Sequence, residues 1–234
     1  GFISLGASLF KYDIKVFKSV KFKHFKLALK RYDKFPKYTT LEVFTNTAGI
    51  QLPIIIIAYY AIGAEAGYLM IAMQLLSAPM SLLSGAISQV YLAEGAERYH
   101  RGELKDFTKK TIINLAKISG IPLFIAAIIS PFFMPYLLGE EWSRTGILIS
   151  WMTPWFFMQF ITSPVSSVLY ITKNQKLAFY LQAFGLVIRV GAVYFAAIYQ
   201  SVFIGEYYAL SGFVFYTLYL MVVLATVKKI ESKN

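Results

Sequence analysis

Six long apolar stretches constrain the fold of this chain more than any other feature of its sequence. They cover residues 39–62, 66–92, 111–138, 147–171, 178–199 and 207–227. A helix needs about 20 mostly apolar residues to cross a hydrocarbon core about 30 Å thick, and every stretch is long enough. A membrane β-barrel is excluded, because its strands span about ten residues and alternate in hydrophobicity. The pattern predicts an all-α protein, a polytopic transmembrane helical bundle of six spans.

The composition excludes several other classes of protein. Hydrophobic residues make up 57% of the chain and charged residues only 15%, whereas about a quarter of the residues in soluble domains are charged. An ordinary soluble enzyme and a disordered chain are therefore excluded, and the lack of cysteine excludes a disulfide-stapled domain. The net charge of +11 does not indicate a nucleic-acid partner, because basic soluble domains are much less hydrophobic.

The basic residues indicate the orientation. Of the 23 Lys and Arg residues, 20 fall in four segments: 11–38, 94–110, 172–177 and the tail from Lys228 onward. The other connecting segments hold one basic residue, Arg144, together with four glutamates. Basic loops stay in the cytoplasm. The distribution predicts a multi-pass protein whose four basic segments, including the C-terminus, are cytoplasmic.

We expect four regions along the chain. Residues 1–10 are apolar and start at Gly1 rather than Met, so we expect the end of a preceding transmembrane helix and a missing N-terminal half. Residues 11–38 interleave cations with aromatic residues, as a connector on an anionic membrane surface does; single-stranded nucleic acid is the alternative ligand. Residues 39–227 form the six-helix bundle, and 228–234 form a cytoplasmic tail.

Two cations inside the spans are candidate cavity residues. Arg189 lies midway along 178–199, where a charge costs about 2.5–3.5 kcal/mol. Guanidinium suits phosphate because its planar fork donates two parallel hydrogen bonds, so we predict a ligand-facing Arg189; a structural pairing is the alternative. Lys117, about two turns inside 111–138, either snorkels back to the surface or places positive charge at the mouth of a cavity.

Glu42 is the one acidic residue within a predicted span, which makes it the candidate for coupling transport to a cation. Thr39 stands three residues before it, in the T-x-x-E spacing of a capping box, and this spacing favours a structural role at a helix start. Neutral polar residues inside the spans either line a cavity or bond neighbouring helices together. The cavity candidates among them are Asn46, Gln51, Gln89 and Gln159.

A stripe of small residues follows one face of the span 66–92. Ser77, Ser81, Gly85 and Ser88 recur at spacings of four, four and three. Such a stripe is typical of close helix packing, and a hydroxyl-lined cavity wall that faces sugar is the alternative.

Catalytic and metal-binding groups are scarce. The two histidines, His24 and His100, lie in predicted cytoplasmic segments, and the chain has neither a thiol nor a GxxxxGK[ST] loop. We expect a transporter rather than an enzyme, without a metal or a bound cofactor.

Several segments resemble those of bacterial polysaccharide flippases. They are RYDKFPKY (31–38) followed by Asn46 and Pro53, ISQVYLAEGAERYHRGEL (87–104), GEEWSRTG (139–146) and TSPVSSVLY (162–170). Their order and spacing over about residues 30–190 are similar to those of the Wzx-type O-antigen and exopolysaccharide transporters. These belong to the multidrug/oligosaccharidyl-lipid/polysaccharide exporter superfamily. The resemblance implies that the six spans are the C-terminal bundle of an exporter with twelve or more helices.

The resemblance also implies a function. Members of that family flip undecaprenyl-diphosphate-linked oligosaccharides across the bacterial inner membrane by alternating access, for lipopolysaccharide or other surface polysaccharides, and many use a proton or sodium gradient. Arg189 would be the cavity cation for the lipid diphosphate. The implied partners are the lipid-linked oligosaccharide, membrane lipids and the N-terminal half.

Two other functions stay open at this point. A multidrug or cation antiporter of the same superfamily is one, and part of a membrane glycan polymerase or acyltransferase is the other. The arginine in the middle of a span favours an anionic ligand, since an exporter of cations would place a carboxylate there.

Overall fold

Helices account for nearly all of the residues that the computed structural model describes, which are 34–61, 63–199 and 201–231. They are α1 (Lys34–Tyr60), α2 (Glu65–Arg101), α3 (Leu104–Leu138), α4 (Ser143–Val165), the short α5 (Val168–Ile171), α6 (Gln175–Tyr199) and α7 (Ile204–Glu231). This part of the chain contains no strand, and the predicted all-α bundle is confirmed. The predicted helix end at 1–10, most of the connector 11–38 and the end of the tail lie outside the described residues.

Five of these helices, α1, α2, α3, α6 and α7, are long and apolar enough to cross a membrane. They carry large apolar side chains on their outer surface; Leu82 and Phe132, for example, are each 78% exposed. In water such a surface would drive aggregation, whereas in a bilayer it contacts acyl chains. The chain is a multi-pass membrane protein.

The predicted span 147–171 corresponds to α4 and α5, and α4 is not among the five apolar helices. It is the central helix, packed against α2, α3 and α7, and more than half of its side chains are buried. A helix that is enclosed by protein does not need an apolar surface on every side, so polar residues such as Thr153 and Thr162 fit within it. The helix ends at Val165, and a two-residue turn at Ser166 and Ser167 separates it from α5.

α1 begins at Lys34, five residues before the predicted span 39–62. Pro36 lies in its first turn, where proline is tolerated because the first N–H groups of a helix have no partner within it. The end of the predicted connector is therefore helical. Thr39 is inside α1 rather than at its start, so the predicted capping box with Glu42 is wrong.

α2 and α3 form a hairpin that is longer than the hydrocarbon core. They contain 37 and 35 residues, about 55 and 52 Å at 1.5 Å per residue, against a core of about 30 Å. Gly102 turns the chain between them with φ of 75°, a left-handed conformation that glycine adopts without a Cβ clash. This turn and the end of α7 lie at the same end of the bundle, which we call the basic end.

Glycines set the closest helix contacts around α4. A Cβ added at Gly146 would lie 2.3 Å from the carbonyl oxygen of Ser130 on α3, and one added at Gly212 on α7 would lie 2.2 Å from the indole ring of Trp155. Small residues let membrane helices approach until their backbones touch. These two contacts fix the positions of α3 and α7 against the central helix.

Candidate functional site

A hydroxyl-rich cavity of about 260 Å³ lies between α2 and α4. We call it the serine cavity, and its lining residues are Ser77, Met80, Ser81, Ser84, Gly85 and Ser88 on α2 and Phe156, Gln159, Phe160 and Ser163 on α4. It contains the whole small-residue stripe that the sequence shows in 66–92. Of the predicted cavity residues, Gln159 lies in it. Ser84 and Ser163 complete the lining, and the sequence analysis did not single them out.

The stripe borders open space at Gly85. A Cβ added there would meet no atom within 4 Å, whereas a close-packing stripe leaves no such room, as at Gly146. Of the two interpretations of the stripe, the geometry favours the cavity wall. Ser84 fits the same face because it lies seven residues after Ser77 and four before Ser88, which is two turns and one turn of a helix.

The cavity offers mainly hydrogen-bond acceptors. The Ser81 hydroxyl donates to the carbonyl of Ala78 at 3.0 Å, and the Ser88 hydroxyl donates to the carbonyl of Ser84 at 2.6 Å. A serine that donates to its own helix keeps its oxygen lone pairs for a ligand. Gln159 adds both a donor and an acceptor. None of the lining residues is charged, so the cavity suits a neutral ligand rich in hydroxyl groups.

Arg189 lies outside the serine cavity and is completely buried. Its Nε donates to the carbonyl of Gly185 at 3.1 Å, and its Cζ lies 4.6 Å from the centre of the Phe215 ring on α7, within the range of a cation–π contact. A Cβ added at Gly49 on α1 would lie 2.7 Å from Nη2. The terminal nitrogens have no hydrogen-bond partner in the described part of the chain. Arg189 is enclosed in this conformation, and its ligand-binding role stays a prediction.

Glu42 is buried in the interior of α1, two turns after its start. Its Oε2 accepts a hydrogen bond of 2.7 Å from the Tyr170 hydroxyl, which α5 supplies. A carboxylate in such a site is poorly solvated and has few donors around it. This environment is compatible with a group that gains and loses a cation, and the coupling role also stays a prediction.

Several polar residues lie in the contact between α1 and α6. The two helices run in the same direction, because Tyr38 lies beside Phe179 and, about three turns farther along, Gly49 meets Arg189. Residues three, four or seven positions from this contact on either helix lie on the same facing surfaces. We call this set the polar seam: Glu42, Asn46, Gln182 and Arg189. Gln182 was not predicted, although its spacing of seven from Arg189 could have indicated it.

Some side-chain atoms of the polar seam lack hydrogen-bond partners in the described part of the chain. The side-chain oxygens Oδ1 of Asn46 and Oε1 of Gln182 are buried without a hydrogen-bond partner among the described residues. Three other predicted cavity residues lie elsewhere: Gln51, Gln89 and Lys117 are exposed. The structure thus divides the candidates between the serine cavity and the polar seam and leaves those three in neither.

A partly buried ion-pair cluster joins the starts of three helices at the end opposite the basic end. Arg144 of α4 donates to Glu65 of α2 at 2.9 and 2.7 Å, and to Glu206 of α7 at 2.6 and 2.8 Å. Hydrogen bonds to Glu65, followed by those to Glu206, raise the pKa of Arg144 above its ordinary value. The sequence signal for this cluster was the single cation among glutamates in the loops predicted to face outward.

Comparison with known proteins identifies a family. The model of a family described as "Polysaccharide biosynthesis protein" matches residues 1–146. No curated protein and no solved structure matches the chain.

Proposed function

Because this chain belongs to the polysaccharide biosynthesis protein family that matches its residues 1–146, we propose that it forms one helical bundle of a membrane flippase. Its substrate is an oligosaccharide linked to undecaprenyl diphosphate, which it moves across the bacterial inner membrane by alternating access. The basic end and the C-terminus face the cytoplasm, in line with the positive-inside distribution. The sequence resemblance to Wzx-type transporters agrees with the family.

The serine cavity is the observation that carries this proposal. A lipid-linked glycan has a polar head that cannot cross hydrocarbon and a tail that need not leave it. A passage for the head must offer hydrogen bonds inside an otherwise apolar bundle and must remain open toward the lipid for the tail. The uncharged, acceptor-rich lining of the serine cavity fits the hydroxyl groups of a sugar. The same lining lacks the carboxylate that a cation exporter needs.

Arg189 and Glu42 have separate parts in the proposal. No acceptor among the described residues contacts the terminal nitrogens of Arg189, so an anion such as the lipid diphosphate would satisfy them. Such contact requires α1 and α6 to separate at Gly49, as one bundle wall moves during alternating access. Glu42 would bind the coupling proton or sodium ion in the same movement, because the polar seam joins it to Arg189. One bundle supplies one wall, and a second bundle completes the passage.

Export of surface polysaccharide by the full-length protein tests the proposal. Filling the serine cavity with Ser84→Phe and Ser163→Phe should lower export about tenfold or more, because a side chain then occupies the space of the sugar. Leu83→Phe is the matched control, since Leu83 is exposed on the same helix and does not line the serine cavity. Arg189→Gln in the same assay tests the diphosphate contact.

All variants must reach the membrane at equal levels, as measured by immunoblotting. Unchanged export in the two serine variants would remove the serine cavity from the passage. A strain that lacks the gene for this protein gives a separate test. If that strain still exported polysaccharide but became sensitive to drugs, the multidrug antiporter would be favoured.

A further inference from the structure

Three buried oxygen groups of the polar seam lie together at the first part of the contact between α1 and α6. They are the carboxylate of Glu42 and the amide oxygens of Asn46 and Gln182. Glu42 is 5% exposed and Gln182 is 7% exposed, and the Oδ1 atom of Asn46 is buried as well. Carboxylate and amide oxygens are the ligands that hard cations prefer.

The register of the two helices brings Gln182 to the level of Glu42. Tyr38 on α1 contacts Phe179 on α6. Glu42 follows Tyr38 by four residues and Gln182 follows Phe179 by three, which is about 6 and 4.5 Å at 1.5 Å per residue. Tyr219 on α7 supports this placement, because it interacts both with the charge of Glu42 and with the side-chain amide of Gln182.

Asn46 adds the third oxygen from the next turn of α1. Residues four positions apart are neighbours on a helix surface, and helix side chains lean toward the N-terminus of their helix. The Asn46 amide therefore leans over the turn that carries Glu42. Within the described part of the chain, no donor reaches the Oδ1 of Asn46 or the Oε1 of Gln182, so a bound ion can use both oxygens.

Arg189 is not the cation of this group of oxygens. It follows Gln182 by seven residues, which is about 10 Å along α6. Its guanidinium lies at Gly49 and at the Phe215 ring. The hydrogen bond that the Glu42 carboxylate accepts from Tyr170 brings no positive charge, because a tyrosine hydroxyl is neutral.

We propose that Glu42, Asn46 and Gln182 bind one sodium ion. One carboxylate and two neutral amides carry a single negative charge, which a monovalent cation balances; a divalent ion would leave a net charge inside the bundle, where charge is costly. A proton would neutralise the carboxylate and leave both amide oxygens without a partner. Sodium is smaller than potassium and fits better between two helices that pack as closely as α1 and α6 do at Gly49.

The use of this ion rests on the proposed function, whereas its binding does not. Bound sodium holds α1 against α6 through ligands from both helices. It therefore keeps Arg189 enclosed, and release of the ion lets the two helices separate at Gly49. The site thus assigns sodium, rather than a proton, as the coupling ion.

Equilibrium binding of radioactive sodium to the purified full-length protein in detergent tests the site. We expect saturable binding of one ion per chain, with unlabelled sodium displacing it about tenfold more effectively than potassium. Asn46→Leu and Gln182→Met should each weaken binding about tenfold or more, because each removes a ligand. Glu42→Gln should abolish it. Gln51→Leu is the matched control, since it removes an exposed amide from the same helix as Asn46.

Circular dichroism verifies the helix content of every variant. A wild type without saturable sodium binding would overturn the proposal, and so would equal displacement by potassium. Asn46 and Gln182 variants that bind sodium as tightly as Gln51→Leu would overturn it as well. Polysaccharide export is then measured with and without a sodium gradient. Sodium binding together with export that does not respond to the gradient would support the site and contradict the coupling role of Glu42 in the proposed function.

Discussion

A single guanidinium group, that of Arg144, joins the starts of α2, α4 and α7. It is 24% exposed, and its partners Glu65 and Glu206 are each 10% exposed. At this burial the ion pairs keep much of their strength, because little water screens them. Removing the cation would leave two poorly solvated carboxylates next to each other, which costs more than the loss of the hydrogen bonds alone.

We expect Arg144→Ala to lower the free energy of unfolding by about 2–3 kcal/mol. Arg144→Lys should restore only part of it, because an ammonium group cannot make the same parallel hydrogen bonds. Thermal unfolding in detergent measures both, with the exposed Glu141→Gln as the control. A variant as stable as the wild type would contradict the role of the cluster.

The pH dependence of this contribution follows from the raised pKa of Arg144. A raised folded-state pKa gives stability that is fully present below the unfolded-state pKa and is lost as the pH rises through the folded-state pKa, and for arginine both lie far above neutral pH. The stability difference between the wild type and Arg144→Ala should therefore not be lost as the pH rises from about 6 to 9.

Neutralising Glu42 should affect thermal stability differently from removing the charge of Arg144. Glu42→Gln keeps the shape of the side chain and removes a poorly solvated charge, so we expect unchanged or slightly higher thermal stability. Export driven by an ion gradient should fall, because an amide cannot release a proton or hold a sodium ion as a carboxylate does. The exposed Glu94→Gln is the control. Stability that falls together with export would indicate a structural role instead.

At the scale of the helices, close contacts at glycine distinguish packed faces from open ones. Gly212 has no room for a Cβ beside Trp155, whereas a Cβ at Gly191 in α6 would meet nothing within 4 Å. Both glycines are inside helices, so alanine at either position gains the same helix propensity. Only the packing differs between them.

We expect Gly212→Ala to destabilise the protein by about 1–3 kcal/mol, since it forces α7 away from α4. Gly191→Ala should instead stabilise it by up to about 1 kcal/mol. Thermal unfolding of the two single variants measures the difference. If Gly212→Ala were as stable as Gly191→Ala, the described contact between α4 and α7 would be wrong.

Helix positions were easier to predict than helix ends. Apolar length identifies α1, α2, α3, α6 and α7, because a bilayer requires such segments. The start of α1 was misplaced, because a helix in an interfacial segment can begin among basic residues and at a proline. The central position of α4 could not be predicted. It depends on contacts with three other helices, and the sequence pattern of one segment contains no information on such contacts.

For the molecule as a whole, the sequence indicated which polar residues lie inside the bundle but not how they are grouped. The serine spacing in 66–92 was visible, and Gln159 was a candidate. Their meeting in one cavity depends on the packing of α2 against α4. Arg189 was correctly placed within a span. Its enclosure by Gly49 and Phe215 comes from two helices that are distant in sequence, so spacing alone could not have predicted it.

The central claim is that the serine cavity is a water-accessible passage for sugar, and single-cysteine labelling tests it most directly. These 234 residues contain no cysteine, so each substitution places a single reactive thiol within them. Ser84→Cys should react with a hydrophilic maleimide in membranes, and the lipid-linked oligosaccharide should slow this reaction. Leu83→Cys, which is exposed outside the lining of the serine cavity and which we expect to contact acyl chains, should react little under either condition. Equal labelling at the two positions, or labelling of Ser84→Cys that substrate leaves unchanged, would contradict the claim.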